Sequence, residues 1–134
     1  MQSISKETIL DMLDFVVMRT ELAINCTQGV VRHHDFLLSN EGMNLFDATC
    51  MRLQTIGETM KKIDLPTEGR LLECYTDISW RDIFGLRNII SHDYLSVNPE
   101  IIFDIAKNEL QPLLITLKKI ISDLESGLYD DLFA

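Results

Sequence analysis

The sequence predicts an all-α fold, a bundle of four principal helices with one or two short ones, in a single domain over residues 1–134. Three observations carry this. Apolar residues recur at spacings of three and four over most of the chain, the period of one helix face. No stretch alternates apolar and polar residues as a half-buried strand does, and there is no internal repeat or low-complexity segment. Stop signals at Gly29, at Asp64-Leu65-Pro66 and between Leu95 and Pro99 divide the periodic stretches.

Taken in order, the first helix starts near Ser5, an N-cap residue with Glu7 and Thr8 behind it, and runs to about Cys26. Its apolar positions are Ile9, Met12, Leu13, Val16, Val17, Ala23 and Ile24, and Gly29 ends it. The segment from Gln28 to Asn40 holds His33-His34-Asp35. Adjacent histidines beside an aspartate invite a metal, but no i, i+4 partner or second cluster completes a ligand set, so the segment reads as an exposed loop or short helical turn with solvated histidines, and no metal is assigned. The second helix spans about Glu41 to Ile63, with Leu45, Thr49, Arg52, Leu53, Ile56, Gly57, Met60 and Ile63 inside. A glycine in mid-helix costs about 1 kcal/mol relative to alanine, so Gly57 marks a close helix crossing.

A short helix from about Thr67 to Tyr75 comes next, and Asp77 or Ser79 caps a helix beginning at Trp80. Asn98 and Pro99 open another, since proline is accepted in a first turn. That helix changes direction around Asn108, which puts Pro112 in the first turn of a new one. Leu110, Leu113, Leu114, Leu117, Ile120, Ile121, Leu124 and Leu128 form the longest apolar stripe, and Gly127 frays it into an acidic tail, Tyr129-Asp130-Asp131.

The composition is that of an ordinary globular protein, 46% hydrophobic and 25% charged. No apolar run approaches the roughly 18 residues of a membrane helix, and the first residues lack a signal peptide's basic and apolar regions, so a cytoplasmic location without membrane contact is expected. Cys26, Cys50 and Cys74 are odd in number and far apart, which argues against a disulfide framework or thiolate metal site and for reduced, mostly buried thiols. The net charge of −9, from 12 basic and 21 acidic residues, speaks against a protein that grips nucleic acid over a broad basic face. It leaves room for a small cleft whose few cations meet one or two phosphates. There is no glycine-rich phosphate loop, Ser/His/Asp triad or glycosidase-type carboxylate pair.

The stretch Trp80 to Tyr94, Trp-Arg-Asp-Ile-Phe-Gly-Leu-Arg-Asn-Ile-Ile-Ser-His-Asp-Tyr, holds the single tryptophan and one of three histidines. At about 100° per residue, Arg81, Gly85, Asn88 and His92 lie within an arc of roughly 60°, while Ile83, Leu86 and Ile90 form the apolar side. Arg87 falls at the edge of that apolar stripe, where a guanidinium is costly to bury without an anion. Glu58, beside Gly57, is a candidate carboxylate for Arg81 or Arg87, or else a surface residue. Arg87 and His92 are separated by roughly 140° on a straight helix. They meet one ligand only if the helix ends near His92 or a second copy of it faces the first.

At these residues the chain resembles a known family. Arg87-Asn88-Ile89-Ile90-Ser91-His92 is the Arg-x4-His ribonuclease motif of the HEPN superfamily, and with Trp80-Arg81, Gly85, His92-Asp93-Tyr94 and the upstream Ile56-Gly57-Glu58 it is similar to the HepT-like toxins. The resemblance covers nearly the whole chain. It implies a HEPN-type bundle, a homodimer with the motif helices opposed, and a minimal nucleotidyltransferase antitoxin as partner. It also implies that Tyr94 is where that partner attaches AMP; read from the residues alone, Tyr94 is a half-buried anchor for the following loop.

The chemistry fits those residue types. RNA carries its own nucleophile, the 2′-hydroxyl, so it can be cut without a metal or other cofactor, as DNA cannot. A histidine moves protons near neutral pH, and an arginine holds phosphate oxygens through two donors at once. Arg87 and His92 are therefore the expected catalytic pair of a metal-independent endoribonuclease, with Asn88 and Arg81 positioning the RNA, Glu58 in support and Tyr94 as the modification site. An opposed dimer would supply the second histidine that a base-and-acid scheme uses. The alternatives are a non-catalytic helical module that binds the nucleotidyltransferase or a nucleotide through Arg87, and a structural role in which Arg87 pairs with Glu58 and His92 closes the helix end.

Overall fold

The computed structural model describes residues 4–91 and 96–133, with the side chains of 89–91 left aside. Among these residues there are helices and turns and no strand. Helix α1 spans Lys6–Cys26, α2 Asn40–Asp64, α3 Trp80–Ser91, α4 Pro99–Asp104 and α5 Leu110–Glu125. Because α4 passes into α5 through a helical turn, the bundle has four principal helices. No helix among the described residues is long and apolar enough to cross a membrane.

Local chemistry sets most boundaries where the sequence places them. The Ser5 hydroxyl accepts from the Thr8 amide to open α1, and the Asn98 carboxamide accepts from Glu100 to open α4 behind Pro99. The Ser79 carbonyl accepts the amides of Asp82 and Ile83 at the start of α3, and the Trp80 indole donates to the Tyr75 carbonyl at 2.9 Å, tying that start to the preceding turn. Thr67–Tyr75 is not the expected helix. It forms turns and a short 3-10 element at Leu72–Cys74, because Glu68 and Gly69 both adopt positive φ and end the helical path after α2.

The interruption expected around Asn108 is present, and it is a π-turn. The chain stays helical, with a π-turn over Ile105–Glu109 in which the Leu110 amide donates to the Ile105 carbonyl, and Pro112 then occupies the first turn of α5. The π-turn also points Lys107 at the end of α1. Its ammonium donates to the Thr27 carbonyl at 2.6 Å, supplying a cation to a helix end that has no basic residue of its own. At the end of α5, Gly127 takes φ +91, and the bonds Leu128 N–H to Asp123 C=O and Gly127 N–H to Leu124 C=O make a Schellman cap.

Leu128 therefore lies outside the apolar stripe and is exposed, and the acidic tail does not fray. It folds back as a 3-10 turn at Asp130–Phe133, with Asp130 paired to Lys6 at 2.8 Å and Tyr129 stacked edge-on to Tyr75. The Tyr75 hydroxyl donates to Asp123, and burial raises its proton affinity well above that of an exposed tyrosine.

The core lies where the inner faces of the helices meet. Ile9, Leu13, Val16 and Ala23 of α1 face Leu53, Ile56, Met60 and Ile63 of α2, with Ile83 and Leu86 from α3 and Leu110, Leu113, Leu117, Ile120 and Leu124 from α5. Helix α2 is central, packing on both α1 and α3. Met12, Val17, Ile24 and Leu45 are only partly buried at its margins. Arg52, expected inside, is half-buried, with one guanidinium nitrogen enclosed and without a hydrogen-bond partner. The linking segment contributes Val30 and the fully buried Phe36, and His33–Phe36 forms the short turn anticipated there.

At Gly57 the α2 backbone comes close against α3. A Cβ there would stand 2.7 Å from the Ile83 carbonyl oxygen and 3.3 Å from both the Arg87 nitrogen and the Leu86 Cβ. The expected close crossing is thus present. Gly57→Ala should lower stability by about 1–2 kcal/mol, overpacking outweighing the gain in helix propensity. Gly85→Ala, whose Cβ would meet nothing within 4 Å, should be neutral or stabilising by up to about 1 kcal/mol. Thermal denaturation of the two variants checks both signs.

The cysteines differ from expectation, since Cys26 and Cys74 are exposed and only Cys50 is buried. Burial, helped by the Asp47 carboxylate, pushes the Cys50 thiol up to about 12. A thiol reagent at pH 8 should modify two cysteines in the folded protein and the third only after denaturation.

Candidate active site

The α2–α3 crossing opens outward into a cleft of about 560 Å³ lined by Gly57, Lys61, Arg81, Phe84, Gly85, Arg87 and Asn88. The stripe read from the sequence is recognisable here, since Arg81, Gly85 and Asn88 share this wall while Ile83 and Leu86 turn into the core. His92 and Tyr94 lie outside the described residues, as does the side chain of Ile90. Helix α3 runs at least to Ser91, so the Arg-x4 portion of the motif is helical up to its histidine.

Arg87 is not at a buried edge. Its side chain is 63% exposed, and its Nε lies 3.6 Å from Glu58 Oε1, with Glu58 34% exposed. Of the two arginines for which Glu58 was a candidate, it meets Arg87. That distance is an ion pair without a good hydrogen bond, and an exposed pair of this kind contributes about 0–1 kcal/mol. Glu58 also accepts from Gln54 at 3.3 Å, which holds the carboxylate along α2. The pair orients Arg87 without consuming its donors, since among the described residues the guanidinium makes no hydrogen bond to protein.

Lys61 is the residue that reading the sequence missed. It sits on α2 one turn after Gly57, with its ammonium 4.6 Å from the centre of the Phe84 ring and 3.9 Å from an Asp64 carboxylate oxygen. Burial raises the Asp64 carboxyl and the nearby Lys61 ammonium pulls it the other way. The available signal was spacing. A residue four after a crossing glycine lies on the same helix face.

Electrostatics separate this cleft from other hollows. One of about 290 Å³ is lined by Asp77, Asp82 and Glu109 among others, and one of about 360 Å³ by Glu7, Asp11, Asp14 and Glu125. Those would repel a phosphate. The α2–α3 cleft instead gathers three of the chain's 12 basic residues in a protein of net charge −9. No group of three or more His, Cys, Asp or Glu among the described residues is arranged to hold a metal, and Asp35 beside the paired histidines is engaged by the Val31 and Arg32 amides, which lower its carboxyl below the usual range.

Residues 20–120, which include this cleft, match the family described as Ribonuclease HepT-like. The chain belongs to the HepT-like ribonuclease family. Curated relatives agree. It is 28% identical over 120 residues to Putative RNase MJ1216 of Methanocaldococcus jannaschii, covering 90% of this chain and 89% of that one. It is 36% identical over 102 residues to Putative RNase MJ0125 of the same organism, covering 76% and 81%. It is 29% identical over 109 residues to Putative RNase TTE0752 of Caldanaerobacter subterraneus subsp. tengcongensis, covering 81% and 90%. No solved structure gives a significant match.

In this HepT-like chain Arg87 is mostly exposed and only lightly paired. Arg87→Ala should change unfolding free energy by less than about 1 kcal/mol in a urea titration, as expected for an exposed pair. A loss of several kcal/mol would show that Arg87 is there for structure.

Proposed function

We propose that the chain is a metal-independent endoribonuclease toxin acting through Arg87 and His92. The observation that carries this is the exposed Arg87 guanidinium, lightly held by Glu58, in a cationic cleft of an otherwise acidic protein. Such a group can receive a phosphate at little cost, because the contact it exchanges is weak. His92 takes the proton from the 2′-hydroxyl, whose oxygen attacks phosphorus as the bond to the 5′-oxygen breaks. The leaving oxygen takes up a proton, and the products carry a 2′,3′-cyclic phosphate and a 5′-hydroxyl. Arg87 neutralises charge that builds on the phosphate during attack. Asn88 and Arg81, on the same wall, position the strand.

A homodimer with opposed α3 helices would bring two His92 side chains to one cleft, one as base and one as acid. In the same reading a minimal nucleotidyltransferase antitoxin silences the toxin by attaching AMP to Tyr94, two residues beyond His92. The added bulk and negative charge would keep a second phosphate out of the cleft.

RNA cleavage by purified, unmodified protein in EDTA tests the assignment. Wild type should yield 2′,3′-cyclic phosphate ends, and Arg87→Ala and His92→Ala should each lose at least about 100-fold in rate, the usual size of an acid–base or charge-stabilising contribution. If the variants cut as well as wild type, or nothing is cut, Arg87 is a phosphate-binding group of a non-catalytic module.

A further inference from the structure

Arg87 accounts for one phosphate, yet the cleft holds two more cations. Arg81 precedes Arg87 by six residues, about 9 Å of rise along α3. Phe84 lies midway between them, and Lys61 from α2 rests its ammonium over that ring at 4.6 Å. The three cations thus border one cleft, which a strand carrying more than one phosphate could occupy. Among the described residues Arg81 has no ion pair, and Lys61 has only the 3.9 Å contact to Asp64.

We propose that Lys61 and Arg81 form a second phosphate subsite, which holds the phosphate next to the scissile one in a single-stranded RNA. The proposal rests on the ribonuclease reading for the identity of the polyanion. A flexible strand can bend its backbone into a concave cleft between two helices, which a rigid duplex cannot. Phe84 has a positioning role, since its ring face keeps the Lys61 ammonium at the cleft instead of letting a four-carbon stem swing into solvent. Gly85 leaves the floor between Arg81 and Asn88 without a side chain, and a Cβ there would touch nothing in the chain itself. Space without an internal occupant beside three cations is what an entering backbone requires.

The test is binding of a fluorescently labelled 2′-O-methyl oligoribonucleotide, which lacks the nucleophile and stays intact, over a series of KCl concentrations. Lys61→Gln should weaken binding about fivefold at low salt and flatten the plot of log K against log salt by about 0.7, the loss of one phosphate contact to a single strand. Lys61→Arg should restore the slope. In cleavage assays the Lys61→Gln defect should fall on KM. An unchanged slope in Lys61→Gln overturns the subsite, and if only its melting temperature falls, Lys61 merely braces Phe84 and Asp64. Wild type that binds with the Lys61-dependent slope but cuts nothing would sink the catalytic reading and leave the subsite standing. Absence of wild-type binding would sink both.

Discussion

The close crossing of α2 and α3 at Gly57 is the constraint on which the site depends. With no side chain at that position, the α2 backbone approaches the Ile83 carbonyl more closely than a Cβ would permit, and comes tightly against the Arg87 amide. Ordinary helix pairs stand 8–10 Å apart according to the side chains between them, and a glycine takes the lower end of that range. The immediate neighbours of Gly57 on α2 are thereby delivered to α3. Glu58 meets Arg87, and Lys61, one turn on, meets Phe84. The cleft is thus a property of two helices, although most of the residues singled out from the sequence lie on one.

Charge placement follows from this geometry. A protein of net charge −9 repels a polyanion at long range, and a Debye length of about 8 Å at physiological salt confines that repulsion to the surface. Around the cleft the local balance is reversed, three cations against the Glu58 and Asp64 carboxylates that pair with Arg87 and Lys61. Acidic residues line other hollows of the surface instead. Such a distribution favours selective entry at one place over general adhesion to nucleic acid, and it makes the salt dependence of binding the informative quantity.

The far side of the bundle keeps the crossing in place. Helix α2 is held against α1 by an aliphatic interface, and α1 is in turn fixed at its end by Lys107 from the π-turn. That turn accommodates Pro112 while the chain stays helical, so α4 and α5 bury one continuous set of residues from Ile102 to Leu124. The Schellman cap at Gly127 then sends the tail back to pair with Lys6 and stack on Tyr75.

Much of this was legible in the sequence because it rests on local rules. Apolar periodicity marked α1, α2, α3 and α5, capping residues marked the starts of α1 and α4, and a mid-helix glycine at position 57 signalled the crossing. The stripe of Arg81, Gly85 and Asn88 followed from helical geometry alone. Where the sequence misled, a non-local or backbone effect intervened. Positive φ at Glu68 and Gly69 replaced the expected helix after α2 with turns, and Gly127 folded the tail back onto the body of the protein. Exposure of Arg87, Cys26 and Cys74 could not be read from periodicity, because residues at the margin of an apolar stripe are buried or not according to what packs beside them. The sequence by itself determined the helices, their inner faces and the motif arginine, since each depends on neighbours within a few residues. The tertiary structure alone decided that Glu58 meets Arg87 and that Lys61 joins the cleft, because those pairings depend on how closely and at what register two helices cross.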